Sequence, residues 1–174
     1  MLKKVRIHIK TERVESHTTL FPTAAGGASP RASKAEKVEP ERLEMTVEGV
    51  LREDTTHVYL SYKEGDLTEM GDTTTTVSYQ KDTPRLVSIT RNGTVRSTLV
   101  FEEATRHITV YETPFMPFEI ATYATRIDNT LLDGGKLSMR YTVEIKGADA
   151  ERTDIELTLL PYFREPMGDG RFAP

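Results

Sequence analysis

From residue 58 to residue 146, β-branched and aromatic runs follow one another at short intervals, each closed by a turn signal. No other feature constrains the chain as much. Val58, Leu60 and Tyr62 form one such run, and Leu137, Met139, Tyr141, Val143 and Ile145 form another, with an apolar residue at every second position. Period two places these side chains on one face of a strand and their polar neighbours on the other. That pattern belongs to antiparallel sheets with one buried and one wet face, and it argues against a parallel sheet. The turn signals are Lys63-Glu64-Gly65-Asp66, Asn92-Gly93, Asp133-Gly134-Gly135 and Lys146-Gly147-Ala148-Asp149. Asn-Gly between two alternating runs is the strongest short signal for a hairpin.

Read along the whole chain, the pattern predicts about ten strands and no helix. They cover residues 2–10, 43–50, 57–63, 73–80, 85–91, 94–101, 106–113, 118–125, 136–146 and 154–161. Sequential hairpins leave two edge strands, and closing the sheet on itself removes them. The expected fold is therefore all-β: a single antiparallel up-and-down β-barrel of about 8–10 strands, occupying residues 1–161. Residues 22–40, from Pro22 to Pro40, contain no aromatic side chain and only Val38 among the β-branched aliphatics. Such a stretch cannot bury enough apolar surface to offset its ordering entropy, so it reads as a mobile loop inserted at a hairpin tip. Residues 162–174 read as a C-terminal tail.

Composition narrows the function classes. A chain of 174 residues can bury a core without staples, and it has no cysteine, so thiol catalysis, zinc-cysteine sites and redox switching are excluded together. The absence is compatible with a reducing cytoplasm, which is the expected location. Met1 to Lys10 alternate apolar and basic residues, which reads as a first strand and not as a signal peptide. No apolar run has the length of a membrane span. With 23 Lys+Arg against 27 Asp+Glu the net charge is −4, a field that repels polyanions, so neither nucleic acid nor membrane is an expected partner.

Spacing around Asn92-Gly93 allows a sharper inference. A two-residue turn there pairs Arg91 with Thr94, Ile89 with Arg96 and Val87 with Thr98. One face is then Val87, Ile89, Arg91, Thr94, Arg96, Thr98 and Val100; the other is Leu86, Ser88, Thr90, Val95, Ser97, Leu99 and Phe101. If the following loop has even length, His107, Thr109 and Tyr111 join the arginine face, and Ile108 and Val110 join the leucine face. With the leucine face inside, the arginines are solvated and the barrel is ordinary core. With the other face inside, Arg91, Arg96, His107 and Tyr111 become cationic and hydrogen-bonding groups in an apolar cavity, where a buried arginine requires an anion. Those four residues are the candidate ligand-binding set.

Catalytic and metal readings are weaker. His107 and Glu112 are five apart on one strand and point to opposite faces. His8, His17, His57 and His107 lack the spacing of a metal motif, and Glu64, Asp66, Glu69 and Asp72 fit no EF-hand and read as a solvated acidic turn. Tyr111-Glu112-Thr113-Pro114, followed by Phe115-Met116-Pro117, reads as a barrel corner in which proline ends the ladder. No catalytic residue, metal or cofactor is expected.

The succession Ser61-Tyr62-Lys63-Glu64, Thr73-Thr74-Thr75-Thr76, Phe101-Glu102-Glu103 with Arg106-His107, and above all Tyr111-Glu112-Thr113-Pro114-Phe115, resembles the YwiB-like DUF1934 family of small bacterial proteins. The resemblance runs from the first strand to about Leu160, with the 22–40 insert and the tail as departures. It implies a calycin-like barrel, similar in architecture to lipocalins and fatty-acid-binding proteins, and it supplies no catalytic residues. The expected function is binding of a small apolar or anionic molecule in the barrel. The alternative is a filled barrel that serves as a protein-interaction module, and an enzyme ranks below both.

Overall fold

A computed structural model describes residues 1–16, 39–65, 72–94, 96–145 and 150–161, without the side chains of Glu15, Ser16 and Phe118. Ten strands follow in chain order: β1 (Leu2–Ser16), β2 (Glu41–Glu53), β3 (His57–Lys63), β4 (Thr74–Gln80), β5 (Thr83–Asn92), β6 (Ser97–Phe101), β7 (Arg106–Glu112), β8 (Pro117–Thr130), β9 (Lys136–Ile145) and β10 (Ala150–Leu160). All adjacent strands pair antiparallel, in the order β6-β5-β4-β3-β2-β1-β10-β9-β8-β7. The predicted mobile loop falls mostly, and the predicted tail wholly, outside the described residues.

The two ends of that order meet and nearly close the barrel. Arg96 N–H donates to the Glu112 carbonyl at 3.1 Å and Glu112 N–H donates back at 2.9 Å. At the other end of β6 the chain turns over β8, where Ala104 N–H bonds the Ala124 carbonyl at 2.9 Å and Ile127 N–H bonds the Glu103 carboxylate at 2.6 Å. Between these closures no strand pairing joins β6 to β7. Instead the Thr122 hydroxyl reaches across from β8 to the Val100 carbonyl at 2.6 Å.

The barrel interior follows from register. Leu51, Leu60, Val77, Ile89 and Leu99 stand opposite one another on five successive strands, and Met45, Ile9, Leu157 and Leu137 do so on the other wall. Leu60, Ile7, Ile9, Val58, Val87, Phe101, Leu137 and Leu157 are fully buried among them. In β8 a bulge between Ala124 and Arg126 shifts the register by one residue, so that Ala124 and Ile127, three apart, both point inward and are both wholly buried. At Gly49 a side chain would collide with Ile7 Cδ1 at 2.5 Å and the Ser61 carbonyl at 2.8 Å, so glycine lets β2 press onto the core there.

The Asn92-Gly93 segment departs from the expected two-residue turn. Arg91 pairs with Ser97, Ile89 with Leu99 and Val87 with Phe101, three residues later in β6 than a tight turn allows. An odd shift exchanges the faces of one strand relative to the other. The interior therefore takes Val87, Ile89 and Arg91 from one expected face and Ser97, Leu99 and Phe101 from the other. The cause is tertiary: Arg96 is taken up in the bridge to β7, and Gly93, at φ +156°, lies against the backbone of Asp72 and Thr73. Ile108 and Val110, expected in the core if the leucine face were inside, instead lie on the outer face, 59% and 53% exposed.

Candidate functional site

The last residues of β1, β3, β5, β7 and β9 and the first residues of the strands that follow them gather at one end of the barrel. Toward this end the inward-facing rows turn from aliphatic to polar. Tyr62, Thr75, Arg91 and Ser97 stand opposite one another on β3, β4, β5 and β6. Each occupies the position two residues beyond an apolar one, Leu60, Val77, Ile89 or Leu99, so strand parity alone forces it inward.

Glu64 continues the same parity past Tyr62 and is buried. Its Oε1 lies 3.1 Å from Arg91 Nε, with side-chain exposures of 7% and 20%, and it also accepts the Thr75 hydroxyl. Burial would lower the basicity of Arg91, but Glu64, by its charge and its hydrogen bond, together with the nearby Tyr141 and Tyr111, outweighs that effect and raises it. Burial, reinforced by the Glu64 charge, pushes the Tyr62 phenol well up. Burial likewise raises Tyr141, against the opposing field of Arg91. Tyr141 packs on Phe101 with ring centroids 4.4 Å apart.

Beside this pair, the Ser97 hydroxyl is the one buried side-chain polar atom among the described residues that lacks a hydrogen-bond partner. Buried polar groups are nearly always satisfied, so an orphan marks a place where something else is accommodated. Ser97 is one of the residues around a hollow of about 400 Å³, with Arg91, Arg96, Thr109, Val110 and Glu112, opening at the unpaired seam between β6 and β7. Along that seam Arg96 turns its backbone toward β7, and strand alternation directs the Thr98 and Val100 backbones the same way. The hollow is thus lined by two arginines, one glutamate, several hydroxyl-bearing residues and part of an open strand edge.

The four expected ligand residues are divided. Arg91 is inside, and Tyr111, partly buried on β7, faces the same polar end and contributes to the field on the Arg91 guanidinium. Arg96 is outside, 70% exposed and 3.5 Å from Glu112, yet it reaches the rim of the same hollow. His107 faces inward nearer the opposite end, 30% exposed, with Nε2 3.2 Å from Glu102. The arginine-lined cavity is corrected accordingly: one arginine is interior, and the anion it requires is the protein's own Glu64. Glu64 was expected in a solvated acidic turn; only Asp72 of that group is described as exposed, paired with Lys63 at 3.1 Å, while Asp66 and Glu69 lie outside the described residues. The alternation Val58, Leu60, Tyr62 extended by one step would have found it.

Elsewhere, a hollow of about 600 Å³ lies on the outer face of β2, β1, β10 and β9. Its charges cancel in pairs, Arg42 with Glu12 at 2.9 Å and Arg140 with Asp154 at 2.6 Å. Among the described residues no group of three His, Asp or Glu side chains could hold a metal, and no helix is long and apolar enough to cross a membrane.

A family model described as a domain of unknown function, DUF1934, matches residues 31–157. The crystal structure of the ywiB protein from Bacillus subtilis is similar over 92% of this chain and 94% of its own, with a TM-score of 0.63 and 18% sequence identity. At that identity the likeness is one of fold. Curated proteins gave no match.

Proposed function

Since the chain belongs to the DUF1934 family, whose description assigns no activity, its function has to be read from its own interior, and we propose that it is a binding protein for a small molecule. The ligand carries a hydrogen-bond-accepting, anionic head that seats against Arg91 and Ser97 at the polar end of the barrel. The observation that carries this reading is the unpartnered, buried hydroxyl of Ser97, a residue at a hollow beside a half-engaged guanidinium. The contact with Glu64 uses Nε, and a guanidinium has four further N–H donors in fixed directions. The aliphatic remainder of the interior is packed with side chains, so the ligand sits at the seam between β6 and β7 and not in the barrel centre. With each nearby cation matched by Glu64 or Glu112, the site suits a monoanion such as a carboxylate better than a dianion.

An enzyme is the weaker reading. The arrangement closest to a catalytic triad is Thr46, His8 and Glu44, with His8 Nδ1 3.1 Å from Thr46 Oγ1 and Nε2 2.9 Å from Glu44. It lies on the outer face of β1 and β2, and neither His8 nor Thr46 lines any of the hollows described.

Native mass spectrometry of gently purified protein, compared with the denatured sample, tests the proposal. A small mass that leaves on unfolding, and that Ser97→Val and Arg91→Met abolish while the fold by circular dichroism is retained, supports it. A bound mass unaffected by either variant would place the ligand elsewhere. No bound mass, together with unmoved Ser97 and Arg91 amide signals during titration with short carboxylates, would overturn it.

A further inference from the structure

Independently of any ligand, the turn from Thr113 to Pro117 carries an apolar projection that no described residue covers. Phe115 is 94% exposed and Met116 55% exposed. The turn is rigid: Pro114 and Pro117 fix the backbone at both ends, and the Thr113 hydroxyl accepts the N–H groups of Phe115 and Met116, each at 3.3 Å, while donating to the Met116 carbonyl at 2.9 Å. A large apolar side chain on a fixed backbone loses little entropy when covered, which is the character of an interface anchor. Ile108 and Val110 extend apolar surface along the outer face of β7 toward this turn.

Immediately beside the projection is a hollow of about 600 Å³ between the β5–β6 connection and the turn, lined by Asn92, Gly93, Thr94, Arg96, Pro114 and Pro117 among others. On its floor Arg96 and Glu112 place one cation and one anion 3.5 Å apart, both more than half exposed. A two-fold interface brings a surface against itself, so it needs a projection and a recess on one patch, together with charges of both signs. This patch has all three. A binding face for an unrelated protein would need only half of that inventory.

We propose that this face joins two copies of the chain about a two-fold axis, with Phe115 of each copy seated in the hollow between Thr94 and Pro117 of the other and each Arg96 facing the other copy's Glu112. The arrangement would also cover the outer mouth of the β6–β7 seam.

The cysteine-free chain makes the geometry directly testable. Two differently tagged preparations, Thr94→Cys and Phe115→Cys, are mixed and oxidised. The proposal expects a mixed 94–115 disulfide in preference to any involving Leu132→Cys, an exposed position at the opposite end of the barrel. Sedimentation velocity from low to several hundred micromolar should show a dimer whose Kd rises by more than about tenfold in Phe115→Asp, a change at an exposed side chain that leaves the circular dichroism of the barrel unaltered. Arg96→Glu and Glu112→Arg should each weaken the dimer, and the double exchange should restore it. A wild-type monomer throughout the range, or a dimer indifferent to Phe115→Asp and to the charge exchange, would overturn the proposal.

Discussion

Glu64 and Arg91 illustrate how much hangs on single side chains in a barrel whose interior is mostly aliphatic. Glu64 has 7% of its side chain exposed and neutralises a guanidinium that is 20% exposed. Removing one member of a buried pair leaves the other charge uncompensated, so Glu64→Ala should destabilise by about 3 to 5 kcal/mol in urea unfolding. Combining it with Arg91→Met should recover much of that loss, because it removes the stranded charge as well. Gly93 is a residue-scale constraint of another kind. A side chain there would run into the backbone of Asp72 and Thr73, and φ of +156° is one that β-branched residues resist. Gly93→Val should cost more than about 1 kcal/mol by chemical denaturation, through steric contact with the neighbouring connection and not through a type I′ turn. The glycine was legible as special from its place after Asn92, but the reason was not, since the partner that crowds it is twenty residues away in the chain.

At the scale of elements, the β5–β6 connection decides what the barrel contains. Leu99 is 5% exposed and stands on the same rung as Ile89, whereas Ile108, which an even-length loop between β6 and β7 would have grouped with it, is 59% exposed on β7. Leu99→Ala should therefore cost about 2 to 5 kcal/mol, and Ile108→Ala close to nothing. Equal losses for the two would refute the register. The ten strands themselves were readable because each has its own alternation of apolar and polar residues, complete within seven or so positions. The pairing across the Asn92–Arg96 connection was not readable. Local turn preference favours two residues, and it lost to the hydrogen bonds that Arg96 makes with Glu112 on a strand further along. Of the expected set, Arg91, His107 and Tyr111 do share the interior, because the odd shift at the β5–β6 connection and a second odd shift between β6 and β7 cancel; Arg96, which lies between the two, does not.

For the molecule as a whole, the three buried tyrosines set a limit at high pH. Burial raises Tyr62 and Tyr141, and burial together with the charges of Asp133 and Glu53 pushes Tyr79 up to about 12. The unfolded chain ionises its tyrosines near 10, so between about pH 10 and 12 the unfolded state sheds protons that the folded state retains. Stability held in full below about pH 10 should fall through that window, and the midpoint of urea unfolding should drop accordingly. Tyr79→Phe should make that fall shallower, and a midpoint indifferent to pH up to 12 would show that the phenols ionise freely in the folded barrel. The sequence by itself determined the class of fold, the number of strands and the one-sided character of each, because these rest on a two-residue period that needs no partner to be seen. Tertiary structure alone decided which side chains share the interior. The register between neighbouring strands, the bulge in β8 that turns both Ala124 and Ile127 inward, and the closure of β6 on β7 are fixed by contacts between distant segments. A shift of one residue in any of them exchanges core for surface.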